Sequence, residues 1–147
     1  MSAIDVALPL IKYWERCRLT AYKPVPEDPW TIGWGATGPN ITEATVWTQQ
    51  EADSDLINRV ILLQRQITEL LKVPADNHQL GAFIDFCYNL GIGNFRNSTL
   101  LKLFNEGAVL AAGEEFPKWD KAHGITLRGL HDRRLAEQTI YYMGDSV

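Results

Sequence analysis

Cysteine is nearly absent from this chain. Cys17 and Cys87 are the only two, without a C-x-x-C pair or a histidine at a supporting spacing, which excludes a disulfide scaffold, a thiolate metal site and cysteine-peptidase chemistry. Both sit among apolar residues and are expected to be buried free thiols, as suits synthesis in the cytoplasm. Histidine is scarce too. His78, His123 and His131 form no H-E-x-x-H pattern, so neither a zinc amidase nor a zinc peptidase is encoded, and no metal or other cofactor is implied. Long apolar runs are missing as well: the early stretch from Val6 to Ile11 is broken by Pro9 and preceded by Asp5. That is too short to span a bilayer and lacks the basic flank of an export signal. Excess positive charge is lacking, with a net charge of −4 and a pI near 5.3, and this argues against a nucleic-acid partner. Repeats and low-complexity tracts do not occur.

What remains is ordinary globular composition. The chain has 147 residues, 46% hydrophobic and 22% charged, enough for one domain that buries its core without metals or disulfides. Helical periodicity begins at Leu8, Ile11 and the Trp14/Glu15 turn, with Asp5 as the N-cap and Pro9 near the helix start. After a glycine-punctuated hairpin and the loop at Gly38-Pro39-Asn40, the capping box Thr48-Gln49-Gln50-Glu51 opens a long helix that carries Leu56, Val60, Leu63, Ile67 and Leu70 and should stop before Pro74. From Ala75 a second apolar helix carries Phe83, Ile84 and Cys87 and is stopped by Gly91-Ile92-Gly93; Asn97 or Ser98 then caps a short helix through Phe104. Two more helices are predicted, at about 108–118 and 128–143, the last with Leu130, Leu135 and Ile140 facing inward. The predicted fold class is α+β, mostly α, with one small N-terminal hairpin.

Chemistry concentrates near the N-terminus. Glu15 closes the first predicted helix, where the macrodipole disfavours negative charge. A strand Leu19-Thr20-Ala21-Tyr22 follows, then a turn holding Glu27 and Asp28, then Trp30-Thr31-Ile32-Gly33-Trp34-Gly35. Two opposed carboxyl groups are what glycoside hydrolysis needs: one donates a proton to the leaving oxygen, and the other activates water or supports positive charge on the sugar. Glycines in a strand let a ligand or another backbone approach. Strand alternation puts residue 27 on the face of Thr31 and residue 28 on the other, which ranks Glu27 slightly ahead of Asp28.

Three blocks in the same order resemble the phage-type lysozymes, the endolysins of glycoside hydrolase family 24. They are Glu15 with Trp30-Thr31-Ile32-Gly33-Trp34-Gly35-Ala36-Thr37-Gly38; the block from Phe86 through Asn89, Gly91, Gly93 and Phe95 to Ser98-Thr99-Leu100-Leu101; and Trp119-Asp120-Lys121-Ala122 followed by Gly129-Leu130-His131-Asp132-Arg133-Arg134-Leu135-Ala136-Glu137. The resemblance covers nearly the whole chain. It implies a lysozyme-like fold over residues 1–147, with a hairpin lobe at about 16–47 and a helical lobe at about 73–147 that includes the first helix.

The resemblance also implies roles. Glu15 is the acid and Thr31 helps hold the attacking water, while Tyr22, Asn89, Phe95 and Ser98 line a cleft and Arg133 or Arg134 meets wall peptide or sugar. The partner is the peptidoglycan glycan strand, reached by a monomer after a holin opens the inner membrane. Two departures stand out. The family's Asp, nine positions after the Glu, is Pro24 here, and Thr31 falls one residue late, as if one extra turn residue had moved the second carboxylate to Glu27 or Asp28. The histidine of the glycine string is Ala36. A lytic transglycosylase working with Glu15 alone, or an inactive wall-binding module of the same fold, are the alternatives.

Overall fold

A computed structural model describes residues 1–144. Contacts divide the chain into two compact units, one formed by Pro9–Leu62 and the other by Met1–Leu8 with the chain from Leu63 onward.

Helix α1 runs Ala3–Glu15. Its N-cap is Ser2 rather than Asp5: the Asp5 N–H donates to Ser2 Oγ at 3.1 Å, and the Ser2 N–H donates back to the Asp5 carboxylate at 3.1 Å. That reciprocal box is the stronger signal, and it lowers the pKa of Asp5, chiefly through the Ser2 backbone N–H. Pro9 therefore lies inside the helix, where its missing donor costs one rung of the ladder. Arg16, at φ 59°, ends the helix with its N–H on the Lys12 carbonyl at 3.3 Å.

The first unit is built on a hairpin. Strand β1 (Arg18–Tyr22) pairs antiparallel with β2 (Thr31–Gly33), matching Arg18 to Gly33 and Tyr22 to Thr31 with an irregularity between them. The other edge of β1 is covered by residues 45–47, since Ala21 donates to the Thr45 carbonyl and Trp47 to that of Leu19. Beyond β2 the chain turns back at once: Ile32 and Ala36 exchange backbone hydrogen bonds of 2.9 and 2.7 Å. The enclosed Gly33 and Gly35 take φ of +64° and +98°, open to glycine at little cost. Helix α2, Gln49–Leu70, starts from Thr48 with the expected box, Thr48 and Glu51 each accepting the other's N–H.

The second unit is an aromatic core wrapped by helices. Helix α3 (Asn77–Leu90) is capped by Asp76 and Gln79, a box that was not predicted, and is stopped at Gly91, φ +91°, as the sequence predicts. Phe83 lies at its centre, with the rings of Phe95 and Phe104 each at 5.1 Å, Tyr141 at 5.8 Å and Phe116 at 6.2 Å. Helix α4 (Ile92–Arg96) was not predicted; it forms directly after the glycine stop. Ser98 then caps α5, Thr99–Asn105.

The helix predicted at 108–118 is broken. It becomes α6 (Val109–Gly113) and a 3₁₀ turn, Phe116–Lys118, with Pro117 at the start of the turn. A second short ladder, β3 (Lys121–Ala122) with β4 (Ile125–Thr126), had no periodic signal. Helix α7, Arg128–Met143, occupies its predicted place, but its buried face is not the apolar one. Leu135 is 38% exposed, while Arg133, Arg134, Glu137 and Tyr141 are buried. Paired charges took the inner positions because α3 supplies a counter-ion in Asp85.

Candidate functional site

Glu15 is the last residue of α1, half-buried, with its carboxylate against the glycine turn of the hairpin unit. A Cβ added to Gly35 would lie 2.9 Å from Glu15 Oε1 and would stand at a φ of +98°, so glycine lets the carboxylate rest close against this backbone without strain.

The apex residue of the same turn is fixed in two ways. Trp34 Nε1 donates to Asp53 on α2 at 2.9 Å, and the Lys12 ammonium from α1 stands 5.5 Å from the indole centroid. Gln49 also donates to Asp53 at 2.9 Å, and the hydrogen bonds from Trp34 and then Gln49 hold the Asp53 carboxyl below its ordinary pKa. Sequence reasoning passed over Lys12, Trp34 and Asp53. The readable signal was Asp53, four residues after Gln49 on one helix face, though only the fold brings Trp34 to it.

Thr31 is 6% exposed, and its hydroxyl donates to the Pro29 carbonyl at 3.0 Å. With its proton committed, Oγ1 is left with lone pairs, so toward a water it acts as acceptor. Tyr22 is half-buried opposite Thr31 in the register, its ring 4.3 Å below the Arg18 guanidinium; Lys23 covers Trp30 at 5.2 Å. These cation–π contacts brace both ends of the turn.

The turn itself corrects one expectation. Residues 23–30 belong to neither strand, so alternation along a strand does not rank Glu27 over Asp28. Glu27 is exposed and Asp28 half-buried, with the Asp28 N–H closing a tight turn onto the Val25 carbonyl at 3.0 Å. Asp28 is the less exposed carboxylate of the two.

In the helical unit the candidates separate. Asn89 is half-buried, and its side-chain oxygen is buried with no hydrogen-bond partner, which suits an acceptor for a ligand donor. Phe95 is fully buried against Phe83 and Phe86 (5.1 and 6.1 Å) and belongs to the core rather than to a groove. Ser98, 5% exposed, has its hydroxyl occupied as the cap of α5, accepting from the Leu101 N–H and donating to the Phe95 carbonyl. Arg133 pairs with both oxygens of Asp85 at 2.8 and 2.9 Å. Arg134 is 0% exposed, gripping Glu137 at 2.7 and 2.8 Å over the face of Phe86. Burial and the neighbouring Asp85 push the Glu137 carboxyl up against the pull of Arg134. Arg133 and Arg134, expected to meet wall peptide or sugar, are therefore internal, whereas Arg128 is exposed.

Of the cysteines, Cys87 is buried, and burial, then Glu137 and Asp85, raise its thiol pKa well above the usual value. Cys17 is only half-buried and accepts from Gln49 at 3.7 Å, which corrects its expected burial. No group of three or more His, Cys, Asp or Glu side chains placed to hold a metal ion occurs among the described residues, and no helix among them is long and apolar enough to cross a membrane.

Comparison with known proteins adds three findings. The phage lysozyme family profile matches residues 12–137. An endolysin of Bacillus phage PZA is 37% identical over 145 residues, covering 98% of this chain and 56% of that protein; the chain thus spans little more than half the length of that curated relative. Among solved structures, the endolysin from Escherichia coli O157:H7 phage FAHEc1 superposes with a TM-score of 0.86 at 28% identity, covering 100% of this chain and 96% of that one. The muramidase domain of SpmX from Asticaccaulis excentricus gives 0.83 at 29% identity, over 92% and 94%.

Proposed function

We propose that this chain, which belongs to the phage lysozyme family, is the catalytic part of an endolysin that hydrolyses the β-1,4 bond between N-acetylmuramic acid and N-acetylglucosamine in peptidoglycan. The observation that carries the reading is the Glu15 carboxyl, delivered by the end of α1 to a glycine turn whose residue 35, at φ +98°, would place a Cβ 2.9 Å from Oε1. Glu15 donates its proton to the glycosidic oxygen as the bond to the anomeric carbon breaks, leaving positive charge shared with the ring oxygen.

A water then adds at the anomeric carbon. One of its hydrogens is held by Thr31 Oγ1, whose own proton is committed to Pro29, and its proton passes to a carboxylate of the turn. Asp28 takes that role before Glu27 because it is the less exposed of the pair. Tyr22 and Asn89 offer a ring face and an unpartnered amide oxygen to sugar. The lysozyme-like domain comprises both compact units, and works as a monomer on the wall after a holin breaches the inner membrane.

The test uses purified sacculi. Wild-type protein should release new reducing ends, and Glu15→Gln should release them more slowly by about 10²–10⁴-fold, the usual worth of general acid catalysis. Anhydro ends instead of reducing ends would replace hydrolysis by transglycosylation.

A further inference from the structure

The hairpin unit carries a second polar groove, on residues other than those around Glu15. It is a cavity of about 470 Å³ between Trp47 and the first turns of α2, lined by Gln50, Ser54, Asn58, Glu51 and Asp55. A smaller cavity of about 260 Å³, which includes Asn40 and Arg59, shares Trp47 and Asp55 with it, so the two hollows adjoin.

Three features of this groove point to one kind of ligand. Gln50, Ser54 and Asn58 recur every four residues and form one row along the helix, about 12 Å long at 1.5 Å per residue. That is enough to lie along more than one sugar ring. All three are exposed, and among the described residues their side chains make no hydrogen bond, so two amides and a hydroxyl are free to bind. Trp47, half-buried with its benzo edge against Gly33, likewise spends its indole N–H on no partner among the described residues. An indole beside a row of amides matches the apolar face and polar rim of a pyranose.

Charge narrows the class further. The fixed charges lining the groove are carboxylates, Glu51 in its cap and Asp55 paired at 2.9 Å to Arg59. An acidic peptide or phosphate chain would meet repulsion there, whereas an uncharged sugar would not. We infer that the groove beside Trp47 is an accessory site for the neutral, N-acetylated sugars of a glycan strand. It deepens the proposed function, since the same polymer would be held in one place and cut in another, a form of avidity.

Binding can be read without turnover. In Glu15→Gln protein, titration with N-acetylchitotetraose followed by ¹H–¹⁵N NMR should shift the Trp47 indole N–H and the side-chain amides of Gln50 and Asn58 saturably. In a Glu15→Gln/Gln50→Ala/Asn58→Ala protein, affinity reported by the Trp47 signal should fall by about tenfold or more, the scale of one or two lost hydrogen bonds. An otherwise superimposable spectrum shows that this variant is folded. An unmoved Trp47 signal, an unchanged affinity in the triple variant, or shifts produced by an acidic tetrapeptide and not by the sugar would each overturn the site. A protein that binds in this way while its Glu15 form cuts no wall would refute the hydrolase reading and leave the groove standing.

Discussion

The two compact units use charge in opposite ways. In the hairpin unit, Glu15, Glu27 and Asp28 are half-buried or exposed on an element end and a turn, with Glu15 against the backbone of Gly35. In the helical unit, Asp85, Arg133, Arg134 and Glu137 are sealed in pairs within an aromatic core. The difference teaches that a charged motif identifies a site only once the location of its counter-charge is known. A carboxylate locked to a buried guanidinium holds the fold; one with access to solvent and a glycine at its side can exchange a proton.

The largest effect should come from breaking the sealed side. Asp85→Ala leaves the Arg133 guanidinium buried without its bidentate partner, and losing one member of a buried pair costs about 3–5 kcal/mol. Urea melts should show it as a lower midpoint. The cost for Phe95→Ala is similar, about 3–5 kcal/mol for a buried phenylalanine, again read as stability. A phenylalanine lining an open groove would leave the midpoint nearly unchanged.

Legibility in the sequence divides along the same line. Glu15, the Thr48–Glu51 box, the Gly91 stop and the Ser98 cap were readable because each is a local rule: an end, a cap or a breaker whose partner lies within four residues. Helix α7 was placed correctly but turned wrongly. Periodicity sees Leu130, Leu135 and Ile140 and has no means of seeing Asp85, 48 residues before Arg133. Trp34 with Asp53, 19 residues apart, was missed for the same reason. Strand alternation cannot rank Glu27 against Asp28, because both lie in a turn that has no ladder.

Smaller effects sharpen the contrast on the open side. Gly35→Ala should reduce turnover, since the new methyl group would press on Glu15 Oε1 at a φ of +98°, whereas Gly38→Ala, also at positive φ but with nothing within 4 Å, provides the backbone-strain control. A turnover loss in Gly35→Ala no larger than in Gly38→Ala would remove the seating role. In the turn, Asp28→Asn should slow the reaction more than Glu27→Gln, and neither should shift stability by more than about 0.5 kcal/mol, as is usual for surface positions. The smallest contrast is between the thiols: at neutral pH iodoacetamide should label Cys17 well before Cys87, whose raised pKa and burial leave little thiolate to react. Mass spectrometry of the labelled chain reads the order.

The division of labour between the units is tested most directly by one paired measurement, turnover on sacculi and urea midpoint determined together for Glu15→Gln and Asp85→Asn. Glu15→Gln should lose about 10²–10⁴-fold in turnover at an unchanged midpoint, and Asp85→Asn should lower the midpoint while its folded fraction keeps cutting. A Glu15→Gln protein that works at the wild-type rate, or that loses activity only because it unfolds, would contradict the assignment of chemistry to the hairpin unit.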